Sequence, residues 1–325
     1  MLVHLRLTVP AELSGPIRTL LLEHECTTNV TLAEGACLQP RGDLLECDVA
    51  REQTGALLGQ LDDLGLGTTG GIVVTTPTGT PFEAARRLEA TAPGHPDDAV
   101  IWDSVEAQAE SGAVPTVSYL IFLVIAVALA AVAVITDSAV LVVGAMVVGP
   151  EFSAIAAACA GIVLGRWGLT ARSLRLLVLS FVFAIAVVTV LALIGRWAGV
   201  ISSEDVTRAR PNTGFIWHPD LWSFVVALLA GAAGALALAV ERTATMVGVF
   251  ISVTTVPAAG NLALGLAVGE DGEIIGSLAQ LGANIGGMIL SGTLLLAFVR
   301  LVWPWLTARS ERLLGAQSSG SGGAR

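Results

Sequence analysis

A carboxylate in the middle of an apolar stretch is the first residue that calls for chemistry. Glu151 directly follows Gly149 and Pro150 inside a long run of aliphatic side chains. Near the centre of a bilayer a carboxylate costs about 2.5 kcal/mol or more unless it is paired, hydrated or protonated. A carboxyl that exchanges its proton in a hydrated interior suits proton or cation coupling. A second polar group interrupts the later apolar runs: Thr254 and Thr255, Pro257 and Asn261, then Asn284. Proline inside a helix removes a hydrogen bond and frees a carbonyl, and in lipid such a group must be satisfied by protein or by cavity water. Gly149, Pro150, Glu151, Thr254, Thr255, Pro257, Asn261 and Asn284 are therefore the expected substrate- or ion-binding residues. Asn261 and Asn284 also fit a plainer role as interhelical hydrogen-bonding groups, worth about 1 kcal/mol each.

Catalytic and metal chemistry lack comparable patterns. No GxGxxG follows a strand, and there is no P-loop and no HExxH. His4, His24, His95 and His218 are scattered along the chain. Cys26, Cys37, Cys47 and Cys159 contain no CxxC and read as small buried residues. The expectation is a protein without enzymatic activity, metal or cofactor.

The elements that must hold the polar groups are apolar segments at about 117–135, 138–164, 174–194, 221–240, 244–268 and 274–302. At about 1.5 Å per residue each is long enough to cross about 30 Å of hydrocarbon. An all-α bundle of about six transmembrane helices follows, over residues 117–302. Segments two and five resemble one another. An acid stands at each entry (Asp137, Glu241), a glycine seven residues on (Gly144, Gly248), and then a proline (Pro150, Pro257), at unequal spacing. Three spans per half make the second half enter from the opposite side, an inverted 3+3 repeat, and paired interrupted segments of this kind point to a transporter binding site. Asp137 also fits a plain helix cap. Gly231, Gly234, Gly282, Gly286 and Gly287 allow close backbone approach.

The composition divides the chain. It is 54% hydrophobic and only 14% charged, with a mean hydropathy of +0.76. Residues 1–116 hold 17 of the 27 acids and 6 of the 17 basic residues, all of them arginine, so that part carries about −11 against −10 for the whole chain. An acidic part of this kind argues against nucleic acid as a partner and against docking on anionic lipid. Residues 1–76 read as βαββαβ, the ferredoxin-like arrangement, with strands near 3–9, 27–33, 43–50 and 71–76 and helices near 11–24 and 51–64. Residues 77–116 form an acidic connector with short helices, and 303–325 a flexible tail. The start of the chain alternates as a strand and carries no leader pattern. Arginines between segments two and three, between four and five, and after six place both termini in the cytoplasm, although Arg196, Arg208 and Arg210 break the trend.

The run DSAVLVVGAMVVGP over 137–150 resembles the leading motif of a prokaryotic multi-span membrane family, domain of unknown function 389. The run VPAAGN over 256–261 and the surroundings of Asn284 resemble its later motifs. The resemblance covers about 115–300, with the N-terminal part similar to one subgroup. It departs at Glu151 and Phe152, where the family is expected to be apolar. It implies a multi-pass plasma-membrane location and no substrate. A secondary transporter or channel with a cytoplasmic regulatory or assembly domain is the expected function. The alternative is a membrane scaffold or sensor whose soluble domain binds a small ligand or protein. Lipid and a second copy of the chain are the expected partners.

Overall fold

The structure is a computed structural model that describes residues 2–91, 99–217, 220–240 and 254–302. Its chain divides into two compact units, one through Asp103 and one over Ser104–Leu301.

In the first unit, β1 (Leu2–Pro10) leads into α1 (Ala11–Glu23), and β2 (Thr27–Leu38) into β3 (Arg41–Ala50). Next come α2 (Arg51–Asp63), the single turn α3 (Leu66–Thr69) and β4 (Gly71–Thr75). The four strands form one sheet in the order β2-β3-β1-β4, with every neighbouring pair antiparallel. Alternation decides which face is covered. Val3, Leu5, Leu7 and Val9 of β1 and Leu45, Cys47 and Val49 of β3 are fully buried against Ile17 and Leu21 of α1 and Leu57 and Leu61 of α2. On the opposite face His4 Nδ1 lies 2.9 Å from Asp48 Oδ1 across the β1–β3 register. The unit continues beyond the sheet. Ala85 of α4 (Glu83–Thr91) packs with Leu2 and Ala50, and Ile101 joins the main core.

The second unit is helical. α5 (Trp102–Gly112) begins at the boundary; then come α6 (Val117–Ile135), α7 (Ala139–Val148), α8 (Glu151–Leu164), α9 (Trp167–Trp197) and the short α10 (Ser203–Thr207). After a 3-10 turn at Gly214–Ile216 follow α11 (Leu221–Ala239), α12 (Thr255–Val268) and α13 (Asp271–Leu301). Among the described residues α6, α9, α11 and α13 are long and apolar enough to cross a membrane, and α7 with α8 form an apolar pair bent by 53°, a broken span or a re-entrant loop. α12 is apolar but shorter. Their outward faces carry Val178, Leu179, Val182, Phe183, Val190 and Leu191 on α9 alone. A soluble bundle would place polar residues there; an aliphatic outer face fits lipid. The segment expected at 244–268 is described only from Thr254 on. Glu241, Arg242, Gly248 and the tail from residue 303 lie outside the described residues.

Helix lengths recur. α6 and α11 each have 19 residues, α8 and α12 each 14, and α9 and α13 each 31. Each second member starts 104 residues after the first: Val117 and Leu221, Glu151 and Thr255, Trp167 and Asp271. Thr116 and Asp220 cap the first pair in the same way, each accepting from the amide three residues on. The short helices end on Gly165 and Gly269 at φ +73° and +80°, the left-handed conformation that glycine adopts freely.

One end of this unit is closed by residues 198–217. Asp137 lies there at φ +47°. It does not cap α7, whose N-cap is Ser138. Its carboxylate accepts from the Asn212 amide at 3.2 Å and from Thr213 Oγ1 at 2.8 Å. Arg208 Nη2 donates to the Ile135 carbonyl at 2.5 Å and Arg196 Nη1 to the Ala267 carbonyl at 2.9 Å. Two of the three arginines that break the charge trend thus bind carbonyls at the C-terminal ends of α6 and α12, where a cation is favoured. At the other end Arg166 pairs with Glu106 and Glu110 of α5, and Arg300 donates to the Val163 carbonyl.

Candidate functional site

Two helices begin in the interior of the second unit, and their first residues touch. Pro150 stops α7, because the residue before a proline is pushed out of the helical region. Gly149 is accordingly extended, at φ −67° and ψ 129°, and Pro150 becomes the N-cap of α8. Glu151 opens α8, where the helix dipole favours a negative group. Its side chain is buried. Oε1 accepts a hydrogen bond of 2.9 Å from Thr255 Oγ1, the opening residue of α12. Oε2 has no hydrogen-bond partner and packs over Gly149, leaving no room there for a Cβ. Glu151 makes no ion pair among the described residues.

Thr254, the N-cap of α12, is tied to α13. Its Oγ1 accepts from Gln280 Nε2 at 3.0 Å and from Asn284 Nδ2 at 2.8 Å. Gln280 Oε1 is buried and unpaired. Thr254 and Asn284 also floor a cleft of about 250 Å³ that runs up to Asp220 at the start of α11 and is walled by Phe215, Trp222 and Ser223. A wider groove of about 470 Å³ between α9, α12 and α13 is lined by aliphatic side chains and Phe181.

Residues 146–290 fit the family model described as Domain of unknown function (DUF389). This stretch is similar to the DUF389 family. The DUF389 segment contains both helix starts, the cleft floor and Glu151. No curated protein and no solved structure matches the chain.

Of the residues expected to converge, the DUF389 segment brings Gly149, Pro150, Glu151, Thr254, Thr255 and Asn284 together. Two stand apart. Pro257 is the third residue of α12 and interrupts nothing; the first amides of a helix lack intrahelical acceptors, so a proline there loses no bond. It is not the counterpart of Pro150, since at the 104-residue spacing that position is Thr254. Asn261 belongs to a different cluster. Its Oδ1 accepts from Arg210 Nη1 at 2.7 Å, and its Nδ2 donates to Glu273 Oε2 at 2.7 Å and to Ser277 Oγ at 2.9 Å. Arg210 Nη2 completes the cluster on Glu273 Oε1 at 2.6 Å. All four residues are buried. With its bonds saturated, Asn261 holds the closed end together.

Gln280, Ser277, Glu273 and Arg210 escaped the sequence reading. Three of them carried a signal: Glu273, Ser277, Gln280 and Asn284 recur at spacings of four, three and four, one face of a helix. Arg210 sits in an irregular segment and offered none. Tyr119 was missed as well. It is buried on α6, and its hydroxyl makes no hydrogen bond.

Proposed function

We propose that this membrane protein is a secondary transporter of a small polar solute or ion, with Glu151 as its coupling group. The observation that carries the proposal is the contact between Glu151 and Thr255, where two interrupted helices start against one another beside a cleft. A buried carboxylate with one free oxygen and no cationic partner needs a proton or a small cation to balance it. Thr254, Asn284 and the first amides of α8 and α12 supply polar groups around it. The two halves form an inverted 3+3 repeat in this reading, both termini lie in the cytoplasm, and the first unit is a ferredoxin-like regulatory domain that a partner would meet at its edge strands β2 and β4.

The test is the response of the purified full chain to cations. Thermal unfolding in detergent is followed with sodium, potassium or choline chloride at matched ionic strength, and across pH 5–8 in choline. Wild type is expected to shift its midpoint with one cation or with pH, and Glu151→Gln is expected to keep its fold and lose that shift. Identical responses of the two proteins to every condition reject Glu151 as the coupling group and with it the transporter reading.

A further inference from the structure

The residues around the cleft beside Thr254 have counterparts 104 residues earlier in the chain. The constant offset of 104 residues relates α6 to α11, α8 to α12 and α9 to α13, with the same lengths, the same cap geometry at α6 and α11 and a left-handed glycine after α8 and α12. It also relates interior faces. Ser173 and Ser277, Leu176 and Gln280, Ser180 and Asn284, and Ala184 and Met288 are all buried, pair by pair. Each helix runs opposite to its counterpart. The C-terminus of α6 and the N-terminal cap of α11 meet the same segment, through Arg208 on Ile135 and through the cleft wall of Phe215 and Asp220. The C-terminus of α9 reaches Ala267 through Arg196, while Glu273 at the start of α13 holds Arg210 at that end. Antiparallel counterparts are related by a rotation about an axis across the helices. Glu151 and Thr255 occupy equivalent positions and touch each other. Under a two-fold rotation only residues at the axis can meet their own equivalents.

The cleft floor and wall then transfer by number. Thr254 maps onto Pro150, Asn284 onto Ser180, Asp220 onto Thr116 and Ser223 onto Tyr119. In one half the small Ser223 leaves the cleft between α11, α13 and the start of α12 open. In the other, Tyr119 and Ser180 hold the equivalent positions on α6 and α9, and both side chains are buried. Resting on the transporter reading of the same site, we infer that a small polar ligand or cation binds on this axis at Glu151 and Thr255. It enters by two related clefts, one beside Ser223 and Phe215 on the side where residues 198–217 lie, the other on the opposite side. The structure is the state with the first open and the second shut by Tyr119. Exchange of the two arrangements carries the ligand across, the motion that inverted repeats support.

The test needs no substrate. The full chain, with Cys26 and Cys37 replaced by serine, is reconstituted in oriented vesicles and exposed from either side to a membrane-impermeant thiosulfonate. Asn284→Cys is expected to react from the side of the 198–217 segment, about tenfold faster than Ser180→Cys, the ratio that a tenfold bias between two states produces. Adding Ser223→Tyr slows Asn284→Cys by about that factor. Adding Tyr119→Ser speeds Ser180→Cys by about that factor, and from the opposite side. Tyr119→Phe, which keeps the ring, leaves Ser180→Cys protected and so separates a plug from a folding defect. Reaction of both cysteines from one side, or continued protection of Ser180→Cys beside Tyr119→Ser, overturns the two-cleft inference. Alternating labelling together with a failed cation test at Glu151 overturns transport coupling alone.

Discussion

Arg210 and Glu273 illustrate what a single buried residue does at the closed end. Both are nearly inaccessible, and both hydrogen-bond Asn261, which also donates to Ser277. Two charges taken out of water repay their desolvation only when the geometry is complete, and removing one partner leaves the other uncompensated, at about 3–5 kcal/mol. Arg210→Ala is therefore expected to lower the thermal midpoint in detergent much more than the double change Arg210→Met with Glu273→Leu, which removes both charges and keeps the volume. A double variant as unstable as Arg210→Ala refutes the pairing as the source of the loss. At this scale the sequence was legible where a residue type was out of place in its surroundings. Glu151 in an aliphatic run and Asn284 in a helix announced themselves, and they do lie near Thr254 and Thr255. Asn261 announced itself equally and went elsewhere, because its partners are an arginine in an irregular loop and an acid that reads as solvent-facing. Pairings between distant segments leave no local periodicity to read.

Elements were legible where hydrophobic periodicity and a breaker coincided. α6 has the expected limits, and the alternation of Leu2–Pro10 and the turn near Pro40 gave the strands of the first unit. Pro257 misled because proline has two meanings, a break inside a helix and a start at its first turn, and only the cap geometry tells them apart. The hairpin of β2 and β3 carries a further device that the strand pattern does not display. Asp43 accepts from Ser14 Oγ and from the Gly35 amide at 2.7 Å. The Ser14 hydroxyl first, then the Gly35 amide, hold the Asp43 carboxyl below its usual value of 3.8. A carboxylate with a depressed folded-state value contributes fully above its unfolded value, and the contribution is lost as the pH falls through the folded one. Amide-exchange protection of the hairpin, corrected for intrinsic rates, is expected to weaken on acidification below about pH 4 in wild type, and to weaken much less over the same range in Asp43→Asn. Equal acid sensitivity in both proteins refutes the assignment.

At the scale of the whole molecule, the membrane character was legible from missing charge alone, while the geometry of the spans was not. Composition gives the length of an apolar run and says little of where it bends, so α7 and α8 read as one segment although they meet at 53°. The same limit applies to α9 and α13, whose 31 residues exceed the runs expected for them because their polar first turns do not score as lipid-facing. That extra length has a mechanical consequence. A helix of 31 residues is about 46 Å long, against about 30 Å of hydrocarbon and about 40–45 Å with the headgroup layers included. α9 begins with Trp167 and ends with Trp197, both largely exposed, and indoles settle at the headgroup level. The two rings thus measure the full depth of the bilayer, as a pair of floats at the ends of a rod. In a thinner membrane the rod must lean, and α13, of equal length, must lean with it. The expected outcome is an optimum of thermal stability in bilayers of longer acyl chains, with a decline as the chains shorten. Replacing Trp167 and Trp197 by alanine should flatten that dependence, and an unchanged profile would show that neither ring sets the depth.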